Sequence, residues 1–380
     1  MSRDTLDKFF SLTIERASLH SLDLDLVRPV TGARQSHFSR SISIVELHAD
    51  GLSGFGEVAS LDLPNYSCEW AQGSQLLLRK VILPGLIERC HVNLNSLDWL
   101  AGNGSVRFAV ECAVLDLQAK QLGLGLTDFL GNTFGSSSYE SSKEISFGVA
   151  IGTGSGWSDA LSECERVIAN GARRIKVKVD GARAREFIEG QLTLDGVDVV
   201  FDFNGSLPRS EVSLLNRLVG TGVLFIEEPS TDLGLIEYVR LAETVGLPIF
   251  LDESADSRAV LNDMANVDTG LGLVVKPAKF GSVLWLNDAL EAFADRGVRC
   301  YLGGMFESSI GRRFLLAFGS HRCFTEVGDM APSDWYFADD IKPHVVAEPG
   351  RFSLNSNFDF GCDVRILEDH ACGERCFTWP

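Results

Sequence analysis

Three features are scarce or missing in this chain of 380 residues. No run reaches the ~18 consecutive apolar residues of a membrane-spanning helix, and the opening MSRDTLDKFF alternates charge instead of leading into an apolar stretch. This predicts a cytosolic protein with no membrane partner. Basic residues are in deficit, 34 Lys and Arg against 52 Asp and Glu for a net charge of −18, so no basic face is evident for phosphate backbones and nucleic acid is not expected as a partner. Paired ligand spacings are missing too: nine cysteines lie scattered without CxxC, and seven histidines show no HExxH. An odd cysteine count in an unsignalled chain fits reduced thiols, and the closest pair, Cys372 with Cys376, reads as a surface pair near the terminus.

What is present is a set of short apolar runs, each carrying a charged residue near its end: RRIKVKV (173–179), DVVFDFN (198–204), GVLFIEEP (222–229), LPIFLDES (247–254) and GLVVKPA (272–278). Lys178, Asp202, Glu227, Asp252 and Lys276 follow one another at intervals of 24 or 25 residues. Each run has the length and near-continuous apolar character of a parallel strand covered on both faces, with helical patterns such as 208–220 and 230–246 between. A strand, a helix and two short loops take roughly 25 residues. Such units build an open doubly wound sheet or a closed barrel, and in both the carboxyl ends of the strands meet the ligand. Closure is favoured, because only a ring brings five strand ends around one point. Taken singly, an acidic residue after a strand is equally well read as a helix N-cap. The common register argues for a shared mouth.

With 45% hydrophobic and 23% charged residues, the chain can fill a barrel and a smaller partner domain. SISIVELHAD (41–50) alternates with period 2 and GLSGFGEV (51–58) turns into a further strand, so residues 9–61 read as antiparallel strands. They are interrupted by a polar loop at 27–40, long enough to be functional. Helical patterns follow at 68–87 and 105–123, the second with Phe108, Cys112, Leu115 and Ala119 on one stripe and with Glu111 and Asp116 in structural roles. A Gly- and Ser-rich stretch, 125–144, separates the regions. The chain therefore divides into an α+β domain over 1–135 and a barrel over 140–344 that opens with ISFGVAIG (145–152). The seventh strand lies in 298–311, the eighth in CFTEVGD (323–329), and 345–380 folds back on the first domain.

Lys176 and Lys178, two apart on a strand, point to one side, the barrel interior, where a bare ammonium is costly unless it meets carboxylates or does chemistry. Asp202, Glu227 and Asp252 supply oxygen with no His or Cys pair nearby, which suits a hard divalent cation such as Mg2+, with Mn2+ as a substitute. Lys276 lies across the mouth. Two lysines facing each other over a carboxylate-bound metal form an arrangement for moving a proton beside the carboxylate of a small anionic substrate, because a cation stabilises the enediolate that α-proton removal creates.

KVK (176–178), DFN (202–204), EEP (227–229), DES (252–254) and KP (276–277) resemble the enolase superfamily and, within it, the muconate-lactonizing subgroup. GFGEV (54–58) and AVECAVLDLQAKQLG (109–123) are similar to its capping domain, so the resemblance spans nearly the whole chain. It implies an α/β fold: a modified TIM barrel, (β/α)7β, with an N-terminal α+β capping domain completed by the C-terminal segment. GGMFESSIGR (303–312) and GDMAPSDWYFADDI (328–341) are similar to the o-succinylbenzoate synthases and the N-acylamino acid racemases that share their scaffold. By that resemblance Lys178 is the general base, Lys276 holds the opposite face, and Asp202, Glu227 and Asp252 bind Mg2+. Lys176 and Asn204 orient the ligands and the substrate carboxylate, and Glu253 supports the ligands from behind.

The same resemblance makes 27–40 a substrate-covering loop. It sets the turn 303–309, with Gly304, against the far end of the substrate through backbone amides and Ser308 or Ser309; a helix cap is the other reading of the two serines. The synthase reaction needs one base, whereas a racemase or dipeptide epimerase needs two. KPAK places Lys279 where racemase-like members tend to carry Arg, and Arg and Lys differ in geometry and hydration, which favours the synthase. Asp329 keeps an epimerase open. The motifs leave the role of Glu307 open, and they are compatible with an oligomer.

Overall fold

The computed structural model describes residues 11–31, 36–140, 144–152, 156–190, 194, 196–348, 350–354 and 373–378. Alternation in the first part of the chain produces a meander. Strands β1 (Arg16–Thr31), β2 (Ser36–Ala49) and β3 (Leu52–Val58) pair antiparallel, Leu22 opposite Ile42 and Val45 opposite Gly56. Ala17, Leu19, Val45 and Leu47 enter one core; Leu22, Leu24, Ile42 and Ile44 enter another, with Ile310, Phe337 and Ile341 from the barrel side. The sheet is therefore buried on both faces, each Leu or Ile contributing about 1.5–3 kcal/mol. The stretch 27–40, expected as a loop, is largely strand: β1 runs on to Thr31 and β2 begins at Ser36, with a register shift between Asp25 and Val30. Pairing draws on backbone N–H and C=O groups, so it continues through polar side chains. Residues 32–35 lie outside the described residues.

Helix α1 (Gly104–Gln121) lies across β3. Its expected stripe is buried, but so are Ala109, Val110, Ala113, Val114 and Leu117, because the sheet covers one side and the helices at Pro277–Phe280 and Val283–Arg296 the other. A Cβ on Gly54 or Gly56 would overlap the carbonyl oxygens of Ala113 and Ala109, so the two glycines of GFGEV let strand and helix touch backbone to backbone. Asp116 accepts from the Phe55 N–H at 2.9 Å, and Glu111 accepts from the Val283 N–H at 2.6 Å, tying the cap to the barrel. The 125–144 stretch, expected as a separator, holds a helix at Leu126–Phe134, because Leu126, Phe129 and Leu130 share a buried face despite the glycine content.

Seven parallel strands make the barrel in chain order: β4 (Gly148–Gly152), β5 (Arg174–Lys178), β6 (Asp198–Asp202), β7 (Val223–Glu227), β8 (Ile249–Leu251), β9 (Gly272–Val275) and β10 (Cys300–Leu302). Between β6 and β7, the expected helix is a 3-10 helix, Arg209–Leu218. The eighth strand expected at 323–329 is not a continuous strand. Its backbone bonds alternate between its two neighbours: Thr325 N–H to the Cys300 carbonyl at 3.2 Å, Gly148 N–H to the Gly328 carbonyl at 2.7 Å, and Asp329 N–H to the Leu302 carbonyl at 2.9 Å. Contacts split between two strands close the ring without forming a ladder. The chain then returns to the cap, where β11 (Gly373–Thr378) pairs antiparallel with β1. Cys372 and residues 355–371 lie outside the described residues. Among those described, no helix is long and apolar enough to cross a membrane.

Candidate active site

Alternation decides which side chains reach the barrel mouth. Val200, Phe225, Phe250, Val274 and Tyr301 fill the axis, with the rings of Phe225 and Phe250 stacked 3.9 Å apart. Two residues beyond the first four of these stand Asp202, Glu227, Asp252 and Lys276, which the period of a strand directs to the same interior side. Lys176 and Lys178 join them from β5, where Lys178 is in register with Asp202.

These side chains form one connected group. Lys176 Nζ lies 2.9 Å from Glu227, 3.3 Å from Asp202 and 2.7 Å from Asp329. Asp329 also pairs with the buried Arg174, whose guanidinium lies 4.0 Å from the Tyr301 ring centre; the Tyr301 hydroxyl donates to Glu227. Lys178 is more loosely held, 3.1 Å from Asn204 Oδ1 and 3.4 Å from Asp202, with its side chain 18% exposed. Asn204 donates through its side chain to Asp202 and to Glu253, both at 3.2 Å. Across the mouth, Lys276 donates to Asp252 at 2.7 Å and to the Tyr66 hydroxyl at 2.8 Å, and Tyr66 donates to Asp252 at 2.8 Å. Lys279 reaches the Asp252 carboxylate at 3.1 Å and its backbone carbonyl at 2.6 Å.

Burial and crowding set the protonation of the group. Burial pushes Glu227 up to about 8, reinforced by the charge of Asp202, and pushes Glu253 up to about 7, reinforced by Asp252 and Asp202. Burial alone would lower Lys276, but Asp252 holds it above its ordinary value. Asp252 shows the converse: burial raises it, and Lys276 and Lys279 bring it far below the usual carboxylate range.

Two backbone positions hold the carboxylates in place. Asn204 (φ +43) and Glu228 (φ +34) each follow or neighbour a mouth residue in a left-handed conformation that costs a non-glycine residue about 1–3 kcal/mol. Each is fixed by hydrogen bonds: the Asn204 N–H reaches Asp202 at 2.8 Å, and Glu228 accepts from the N–H groups of Asp252 and Ser254 at 2.8 and 3.2 Å.

The structure thus brings together Lys176, Lys178, Asp202, Asn204, Glu227, Asp252, Glu253 and Lys276. The turn 303–308 lies beside them, since a Cβ on Gly303 would stand 3.1 Å from Lys276 Cε and one on Gly304 would stand 2.9 Å from Glu307. Ser308 and Ser309 face elsewhere. The Ser308 hydroxyl donates to Glu57 and caps helix α2 (Ser309–Gly319) by accepting from the Ile310 N–H, while the Ser309 hydroxyl donates to Asp340 at 2.8 Å. Their hydroxyls are engaged by buried carboxylates rather than turned toward a ligand. Glu307 accepts from the Met305 N–H at 2.8 Å and shapes the turn.

Sequence reasoning passed over Tyr66, Tyr301, Glu228 and Arg174. Arg174, on β5, and Glu228, the residue after β7, lie inside quoted motifs and could have been flagged as charges in apolar runs; Tyr66 sits in an unpatterned loop with no such signal. Oxygen-only donors at Asp202, Glu227 and Asp252 fit a hard divalent cation. As placed, with Lys176 and Lys276 on their oxygens, no three acidic, His or Cys side chains among the described residues form a cluster that would hold a metal ion.

A barrel of this topology with charged residues on successive strand ends, under an α+β cap, defines a class. Residues 159–359 match the enolase C-terminal domain-like family and residues 19–131 the N-terminal domain of the mandelate racemase / muconate lactonizing enzyme family, and the chain belongs to this family of the enolase superfamily. Among curated relatives, an o-succinylbenzoate synthase of Geobacillus stearothermophilus is 30% identical over 93% of this chain and 94% of its own length. An N-succinylamino acid racemase of Thermus thermophilus is 28% identical over 93% and 96%. Among solved structures, an enolase superfamily member from Listeria innocua superposes with a TM-score of 0.86 at 23% identity, covering 97% of this chain and all of that one, which bears on the fold alone.

Proposed function

We propose that the chain is a Mg2+-dependent o-succinylbenzoate synthase, a carbon–oxygen lyase of menaquinone or phylloquinone synthesis acting in the cytoplasm. Its substrate would be 2-succinyl-6-hydroxy-2,4-cyclohexadiene-1-carboxylate. The observation that carries this reading over its neighbours is the unequal tethering of the two lysines. Lys276 is held by Asp252 and Tyr66 at 2.7 and 2.8 Å, whereas Lys178 has only contacts of 3.1 Å and longer and remains partly exposed. A one-base dehydration asks for this asymmetry.

Asp202, Glu227 and Asp252 would hold the Mg2+, with Mn2+ as a substitute, and when bound the ion would draw electron density from the substrate carboxylate and acidify the α-carbon. Lys178 takes the α-proton, breaking the C–H bond and leaving its electron pair in an enediolate. Lys276, kept charged, stabilises the negative oxygen from the opposite face. Collapse of the enediolate forms the new ring double bond as the C–O bond breaks, and Lys178 returns its proton to the departing hydroxide, giving water and the aromatic ring. Lys176 orients Asp202 and Glu227, and Asn204 orients Asp202 and Glu253.

The alternative is an N-acylamino acid racemase, favoured by the Thermus relative and by the presence of lysines on both sides of the mouth. A dipeptide epimerase has less support, because Asp329 is already paired with Arg174 and Lys176. The test is optical: conversion of the hydroxycyclohexadiene carboxylate with Mg2+ by wild type, abolished in Lys178→Ala. No turnover by a folded, Mg2+-binding wild type would reject the synthase. Exchange of the α-proton of N-succinyl amino acids in D2O, lost in Lys276→Ala, would then establish the racemase.

A further inference from the structure

Arg40 is wholly buried, and its hydrogen bonds run to two segments far apart in the sequence. It belongs to β2, at the base of the hairpin. Its Nη2 donates to the Ser60 carbonyl at 3.1 Å and to the Met305 carbonyl at 3.4 Å, and its Nη1 to Asp62 at 3.4 Å. Asp62 also accepts from the Ser41 N–H at 3.0 Å, so β2 grips the start of loop 59–70 at two points. That loop carries Tyr66 to Asp252 and Lys276, and the turn that contains Met305 packs against Lys276 through Gly303.

Burying a guanidinium is costly, and here its nearest carboxylate is partly exposed and 3.4 Å away, while its Nε is left without a partner. Packing alone would be better served by an apolar side chain of similar volume. What only arginine supplies is a rigid planar fork that donates in several directions at once, here to a carbonyl and a carboxylate of loop 59–70 and to a carbonyl of the turn 303–308.

We propose that Arg40 is a positioning residue. It fixes the spacing between the loop that bears Tyr66 and the turn 303–308, and so sets both walls around Lys276. Its role in turnover rests on the synthase reading, but its effect on the two segments does not.

The first measurement is backbone hydrogen exchange on the full-length, metal-free protein without substrate, comparing wild type, Arg40→Met and Arg40→Lys. Exchange rises at least severalfold in 59–70 and 303–308 in Arg40→Met, with the barrel strands unchanged. Arg40→Lys restores only one of the two segments, since a single ammonium cannot span both. In turnover assays kcat/KM falls at least tenfold in Arg40→Met, and adding Tyr66→Phe then has little further effect although it is harmful alone. If Arg40→Met fails to fold, Asp62→Ala serves instead, with faster exchange expected at 59–70 and not at 303–308. Unchanged exchange in both segments, a uniform increase over the whole cap, or strictly additive penalties with Tyr66→Phe would overturn the proposal. If wild type lacks synthase turnover while the exchange pattern holds, the positioning role stands for another substrate.

Discussion

Tyr66 touches both Asp252 and Lys276, so one hydroxyl from the cap steadies a carboxylate and an ammonium of the barrel. Tyr66→Phe removes two hydrogen bonds but keeps the ring beneath Lys276 and Lys279; kcat/KM is expected to fall at least about tenfold, since each lost bond is to a charged group, with little change in Tm. Comparable turnover in wild type and variant would make the hydroxyl incidental. A second expectation concerns the metal. Mg2+ that binds the folded chain alone stabilises it by about 2.7 kcal/mol at a hundredfold excess over Kd. Thermal unfolding should therefore shift upward on adding Mg2+, fall back with EDTA, and show no shift in Asp202→Asn. The charged strand ends were legible because a strand's period fixes which side chains share a side. Tyr66 and Arg40 were not: one tyrosine in SLDLPNYSCEW and one arginine in HFSRSIS carry no spacing that could point across a domain boundary.

At the scale of elements, the contact between β3 and α1 is the most exacting. Gly56→Ala would drive a methyl into the Ala109 carbonyl, so a loss of several kcal/mol is expected in urea unfolding, against about 1–2 kcal/mol for Gly51→Ala, where the space is open and only the positive φ is strained. Glu111 adds a pH dependence. Burial pushes it up to about 7, so between roughly pH 4.5 and 7 the folded chain holds a proton that the unfolded chain has lost. Stability conferred by this residue is present at the acid end and is lost as pH rises through that window, on the order of 3 kcal/mol in all. The stability of wild type relative to Glu111→Gln should thus grow from pH 8 to pH 5; a constant difference would show that Glu111 does not titrate there. Apolar runs foretold the barrel strands because burial on both faces requires them. The segment 323–329 misled, since its alternating contacts to β10 and β4 leave no regular pattern, and the hairpin at 27–40 was hidden by polar side chains on paired backbone.

Over the whole molecule, the cap is held to the barrel by specific buried polar contacts as well as by apolar packing. Glu57 of β3 accepts from the N–H groups of Ser308 and Gly311, both at 2.9 Å, and Glu111 from that of Val283. These cross-links were not readable in the sequence, because each partner lies far away in it. Strand β11 covers the outer edge of β1. Removing 373–380 bares that edge, and an uncovered strand edge invites pairing with another chain. Such a truncation is expected to broaden the elution profile toward larger species at raised concentration; an unchanged profile would show that β11 is dispensable.

The pairing of β11 with β1 also bears on the order in which the protein can be made. Chains emerge from the ribosome with their first residues leading, and early domains usually fold as they appear. Here the first sheet must wait for residues translated after the whole barrel before its edge is filled. A ribosome that stalls late therefore releases a chain with every charged residue of the mouth in place and the cap still unfinished.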